Sequence, residues 1–148
     1  IVVEITESTL QSSKAREVLT KIKALGVIIS IDDFGTGFSC ISELADETYD
    51  AIKIDRSLLP AFPLKSKQEK RRALIIENVV SMCVKLGMPC TLEGLETVEQ
   101  VLFAKKIGAK AMQGYYFTKP LSLVGLMEYL QAEHASPLVS VTAPAEEQ

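Results

Sequence analysis

The chain has 148 residues, 47% of them hydrophobic, and a formal net charge of −3, so it is of single-domain size and can bury a real core. That charge excludes a basic, phosphate-coating surface, and no DNA or RNA partner is expected. No apolar run reaches the roughly 20 residues of a membrane span, and no signal peptide is legible. Cys40, Cys83 and Cys90 form no CxxC pair and read as buried thiols in a reducing cytoplasm.

The predicted elements alternate strand with helix. Residues 1–5 read as a strand, and Ser12 begins an amphipathic helix with the stripe Ala15, Val18, Leu19, Ile22 and Leu25, stopped by Gly26. A second strand follows over 27–32, then a short helix around 39–44 and a third strand over 51–55. A loop with Pro60 and Pro63 leads into a long helix over 68–86, ended by Gly87 and Pro89. The fourth strand is 90–93, and Thr97 caps a helix to about residue 107. A fifth strand spans 111–117, and Ser122 caps a last helix to about 132. Residues 133–148 are polar and proline-broken and are expected to form a disordered tail.

This alternation predicts an α/β fold with a parallel sheet. A polar group marks every strand: Glu4; Asp32 and Asp33; Lys53 with Asp55; Glu93; and Gln113. In an open doubly wound sheet, ligand groups gather at one switch point. In a (β/α) barrel the C-terminal ends of many strands converge on one site. The pattern therefore favours a partial TIM-type barrel of about five strands, with roughly three more expected upstream of a chain that opens in mid-strand.

The polar groups have bland readings as well as chemical ones. Glu4 could make a salt bridge to a neighbouring helix, and Asp32 and Asp33 could cap a helix or shape a turn. Lys53 and Asp55, two apart on one strand, share a face and could be a structural ion pair. Glu7, Glu93 and Glu96 could be helix-start acids. Against this, adjacent carboxylates repel each other and are best held together by a divalent cation, and hard oxygen donors select Mg²⁺ or Mn²⁺. Arg56 reads as a surface residue, Tyr115, Tyr116 and Phe117 as packing, Met82 and Met88 as core filler, and His134 as exposed.

Five segments in order carry a family resemblance: Glu4-Ile5-Thr6-Glu7-Ser8, Asp32-Asp33-Phe34-Gly35-Thr36-Gly37-Phe38-Ser39, Ile52-Lys53-Ile54-Asp55-Arg56-Ser57, Glu93-Gly94-Leu95-Glu96-Thr97 and Gln113-Gly114-Tyr115. Over residues 1–132 the chain resembles the C-terminal portion of an EAL domain. Members of that family are metal-dependent phosphodiesterases that linearise cyclic di-GMP to pGpG on a barrel with one antiparallel strand. The resemblance implies that Glu4, Asp32, Asp33 and Glu93 hold two metal ions, Mg²⁺ or Mn²⁺, with Asp32 bridging. It implies that Glu93 is the general base and that Lys53 holds the attacking water. Asp55, Gln113, Gly114 and Pro120 fall on the substrate side, and Glu7 and Glu96 brace loops.

The family's Glu-Ala-Leu strand and its asparagine-bearing strand are not in this sequence, and Leu92 stands where the family often has alanine. The loop between Asp55 and Glu93 is a few residues longer than usual. The resemblance implies cyclic di-GMP as ligand, a homodimer, and fusion to other signalling domains, such as GGDEF or a sensor. The piece alone, with an incomplete metal shell, is expected to be inactive. Two rival functions are an inactive EAL-type domain that binds cyclic di-GMP or a protein, and an unrelated barrel enzyme acting on a carbon acid.

Overall fold

A computed structural model describes residues 1–6, 9, 12–37, 41–45 and 48–135, apart from the side chains of residues 13, 42, 43 and 133–135. Five strands, β1 (Val2–Thr6), β2 (Ile28–Phe34), β3 (Ala51–Ile54), β4 (Cys90–Leu92) and β5 (Ala111–Met112), form one sheet in the order β1-β2-β3-β4-β5. Every pairing is parallel. A doubly wound sheet reverses its strand order at a switch point; this one advances one neighbour at a time, as a barrel wall does. The chain divides into two compact units, Ile1–Phe117 and the part from Thr118 onward, which contains the helix α4 (Leu123–Ala135).

Three helices belong to the first unit: α1 (Ser13–Lys23), α2 (Lys67–Leu86) and α3 (Val98–Lys106). Their ends follow local chemistry. Ser12 accepts a hydrogen bond from the Ala15 amide, and Ser66 accepts one from the Glu69 amide. Thr97 and Gln100 form a reciprocal capping box at α3. Gly87 closes α2 in the left-handed region, at φ 68°, which carries no Cβ penalty for glycine.

The core lies between the sheet and α2 and α3. Ile29, Ser30 and Ile31 are consecutive and all buried, as expected for a parallel strand covered on both faces. Ile52, Ile54 and Leu92 continue that layer, and α2 seats Ala73, Ile76, Val80 and Cys83 on it at helical spacing. Each fully buried aliphatic side chain contributes about 1.5–3 kcal/mol. Met82 and Met88 pack at the edge of this core, and Cys83 and Cys90 are buried, all as the sequence suggests. Asp50 ties β2 to its neighbours by accepting from the Ile29 amide at 2.8 Å and pairing with Lys23.

Several sequence expectations need correction. Val18 and Leu25 are 48% and 81% exposed, because α1 stops at Lys23 and turns its stripe only partly onto the sheet. The segment after β2 forms a 3-10 turn at Ile41–Ala45 rather than a helix over 39–44; residues 38–40, Cys40 among them, lie outside the described residues. β5 ends at Met112, not Phe117. Tyr115, Tyr116 and Phe117 are exposed in a turn instead of packed, with Tyr116 and Phe117 edge to face at 5.2 Å. The side chain of His134 and the tail from 136 onward also fall outside the description.

Candidate active site

The C-terminal ends of β1 to β4 bring charge together around one ammonium group. Lys53, the third residue of β3, lies 2.8 Å from Glu93 Oε1, 3.1 Å from Asp32 Oδ1 and 3.2 Å from Glu4 Oε1. Backbone register explains the meeting. Thr6 of β1 is level with Asp32 of β2, and Lys53 of β3 is level with Thr91 of β4, two residues before Glu93. The Glu93 amide then donates to the Ile54 carbonyl at 3.1 Å, which fixes the residue at the strand's exit.

Adjacent strand residues normally face opposite sides of a sheet. Asp32 and Asp33 escape that rule through a bulge. β2 pairs Ile31 with Ile52 and Phe34 with Ile54, so three steps on β2 match two on β3, and the register shifts between them. Asp33 takes up the extra residue at φ 55°, the left-handed region that aspartate tolerates better than most side chains. As a result Asp32, Asp33 and Glu93 each present a carboxylate oxygen, all within 4.8 Å of one another. Gly35 follows at φ 100°, where an added Cβ would collide with Leu58, so the loop after the carboxylates stays close to the wall.

The surrounding carboxylates, and not burial, decide the charge state of the lysine. Lys53 is 15% exposed, and that desolvation by itself would lower its pKa. Contacts with Glu93, Asp32 and Glu4 outweigh it and hold the ammonium above the usual lysine range. Lys53 is thus a fixed cation near neutral pH and cannot serve as a base.

The same oxygens suit a hard divalent cation. Three carboxylate oxygens in mutual reach are the donor type that Mg²⁺ and Mn²⁺ take. Asp32 Oδ1 is shielded from solvent and makes no hydrogen bond of good geometry, its lysine neighbour being a charge contact only. A buried, under-satisfied carboxylate oxygen is costly unless a cation completes it. Glu4, also expected among the ligands, is half exposed and joins the cluster through Lys53.

The remaining predicted residues are placed differently. Asp55 caps the 3-10 turn Arg56–Leu58, its carboxylate accepting from the Ser57 amide at 2.8 Å; that bond and the neighbouring Arg56 outweigh burial and keep its pKa low. Lys53 and Asp55 therefore form no ion pair with each other: the lysine is claimed by Glu4, Asp32 and Glu93. Gln113 is exposed, and its backbone joins the loop after β4, donating to Leu92 at 2.8 Å and accepting from Leu95 at 3.1 Å.

Gly114 was expected to admit a ligand. What approaches it is the backbone of Leu95, which an added Cβ would overlap. Glu96 is exposed, and its amide, not its carboxylate, is engaged, donating to Gln100 Oε1 at 2.8 Å. Pro120 lies in the second unit, and Glu7 lies outside the described residues. Sequence reading missed the stem of Arg56, which packs where a Cβ on Gly94 (φ 70°) would stand. A glycine directly after Glu93 was the available signal.

Comparison with known proteins gives a family match and a shared fold. The family model described as EAL domain matches residues 1–120. The chain is 35% identical to the cyclic di-GMP phosphodiesterase NbdA of Pseudomonas aeruginosa over 143 residues, covering 93% of this chain and 18% of that protein. The EAL domain of Mycobacterium smegmatis DcpA superposes with a TM-score of 0.74 at 33% identity, covering 92% of this chain and 60% of that one. Klebsiella pneumoniae BlrP1, solved as a manganese/cy-diGMP complex, superposes with a TM-score of 0.70 at 30% identity, covering 80% and 30%. The chain thus spans less than two thirds of each of these relatives.

Proposed function

Because the chain belongs to the EAL-domain family, we propose that it carries the lysine and most of the carboxylates of a phosphodiesterase site that opens cyclic di-GMP to linear pGpG. One observation carries the proposal: Lys53 stands among Glu4, Asp32 and Glu93, with Asp33 folded back onto the same cluster by a bulge. The relatives named for that activity support it.

Each side chain has a role that follows from its state. Lys53, protonated and partly desolvated, binds a water or phosphoryl oxygen and stabilises negative charge as it builds in the transition state. Because it holds its proton so firmly, proton abstraction falls to a carboxylate. Glu93, at 16% exposure, is placed at the mouth to take it. Asp32, Asp33, Glu93 and Glu4 would hold Mg²⁺ or Mn²⁺, two ions in the complete site. When bound, such ions supply Lewis-acid stabilisation of the phosphodiester oxygens. Asp55, Gln113 and Gly114 shape the substrate side, the last two through the backbone clamp on Leu95. Residues 1–132 form the C-terminal portion of the domain, with α4 running on to Ala135; in the whole protein the domain works as a homodimer fused to other signalling modules.

The test is release of pGpG by the whole protein with Mg²⁺ or Mn²⁺, against an Asp33→Asn variant. Turnover by the wild type and its loss in the variant are expected. Tight binding of cyclic di-GMP without any turnover by the wild type would instead assign the domain as a receptor.

A further inference from the structure

At the end of the sheet opposite the carboxylates, two thiols lie against each other. Cys83 sits in the last turn of α2 and Cys90 opens β4. The left-handed Gly87 reverses the chain between them, and the Met88 amide donates to the Cys83 carbonyl at 2.9 Å, which clamps the reversal. Both residues are buried, at 0% and 5% exposure, and each thiol lies near enough to shift the other's pKa. Cys90 meets a cavity: with Met88, Pro89, Gly108 and Lys110, it lines a space of about 210 Å³ at the N-terminal ends of β4 and β5, ample for a molecule the size of water or a peroxide.

We propose that Cys90 and Cys83 form a thiol-modification site, in which a peroxide reaching Cys90 through this cavity converts the pair to an intramolecular disulfide. The asymmetry of the two thiols favours that order. The neighbouring Cys83 thiol lowers the pKa of Cys90 against the opposing effect of burial. Cys90 and burial together raise Cys83, so the proton stays there. Lys110 places a positive charge on the cavity that Cys90 lines.

In the first step the Cys90 thiolate attacks one peroxide oxygen and the O–O bond breaks. The departing hydroxide takes up a proton and leaves as water, and Cys90 becomes a sulfenic acid. That removes the charge next to Cys83 that had held its proton in place. Cys83 then gives up the proton and attacks the Cys90 sulfur; the S–O bond breaks and a second water leaves. Two thiols lose two electrons in total, and one peroxide is reduced to two waters.

Trypsin makes the product readable, since Lys85 separates the two cysteines and Cys40 falls on a third peptide. The whole protein is treated with hydrogen peroxide, natively and in denaturant, then alkylated, digested and analysed by mass. In the native protein a linked Cys83–Cys90 peptide pair should form at least about tenfold faster than in denaturant. Cys83→Ser should convert the product to a dimedone-reactive sulfenic acid at Cys90, and Cys90→Ser should leave Cys83 unmodified at the same dose. A linked pair that forms no faster in the folded protein than in the denatured one overturns the proposal, and that comparison needs no variant to fold.

Discussion

Lys53 Nζ and Glu93 Oε1 stand 2.8 Å apart, joining the third and fourth strands at the mouth of the sheet. Both groups are mostly buried, so the pair is screened far less than a surface ion pair. It also keeps the lysine protonated, so in the proposed mechanism proton abstraction falls to a carboxylate.

Lys53→Met keeps most of the stem and removes the charge, leaving Glu4, Asp32 and Glu93 facing one another. Without divalent cation the variant should lose about 3 kcal/mol of stability, the usual cost of leaving a buried charge unpaired. Saturating Mg²⁺ or Mn²⁺ should recover much of that, and turnover should not return. The pKa of Lys53 is raised on folding, so its contribution is complete below the unfolded value of about 10.4 and fades only as pH rises through the folded one. The gap from wild type should therefore be flat across neutral pH. Thermal melts with and without metal check this; an equal loss in both removes Lys53 from the cation site.

Glu93→Gln preserves shape and an acceptor oxygen toward Lys53 but cannot take a proton. For the general base, kcat should fall by at least about 10²-fold, with little change in the dissociation constant for cyclic di-GMP. Single-turnover rates and calorimetric titration separate the two. A variant within a few-fold of wild-type kcat would move the base elsewhere.

Much of this site was legible because the residues that build it are themselves polar interruptions of apolar strands. Glu4, Asp32 and Lys53 stand out in runs of Ile and Val, and Glu93 follows the short apolar strand Cys90–Leu92. The bulge at Asp33 was not legible, since nothing local tells an aspartate in a regular strand from one in the left-handed region. Pairing alone predicts that Asp32 and Asp33 diverge. That Asp55 forms no ion pair with Lys53 was hidden for the opposite reason: the two would share a face in an extended strand, but β3 ends at Ile54 and the chain turns. The reach of β5 was overread because Tyr115, Tyr116 and Phe117 have high strand propensity, which Gly114 and its clamp on Leu95 override.

The left-handed aspartate gives a prediction in which stability and function part. A non-glycine residue at φ 55° costs about 1 kcal/mol. Asp33→Gly removes that strain and one of three crowded carboxylates, against about 0.5–1 kcal/mol of added chain entropy. Metal-free stability should stay level or rise slightly, while the stabilisation conferred by Mg²⁺ or Mn²⁺ shrinks and hydrolysis is lost. Asp33→Ala, which keeps the strain, should be the less stable of the two. A glycine variant whose melting temperature still rises with metal as much as wild type would exclude Asp33 from the ligand set.

Gly114 tests whether the loop carrying Glu93 is held by backbone contact. The Leu95 amide donates to Gln113 at 3.1 Å and the Leu95 carbonyl accepts from Tyr116 at 2.9 Å, with Gly114 between them. A methyl group at Gly114 would overlap the Leu95 backbone, so both bonds must shift, and Leu95 is only two residues from Glu93. Gly114→Ala should cost about 1–3 kcal/mol and lower kcat as well, because the displaced loop takes Glu93 with it. Gly108→Ala is the matched control. Its φ of 86° makes alanine strained by about 1 kcal/mol or more, yet nothing lies within 4 Å of the added carbon and the site is remote, so stability should fall while kcat holds. Denaturant melts and kcat measured on both variants decide it: equal kcat losses, or none at Gly114, would mean that the clamp on Leu95 does not position Glu93.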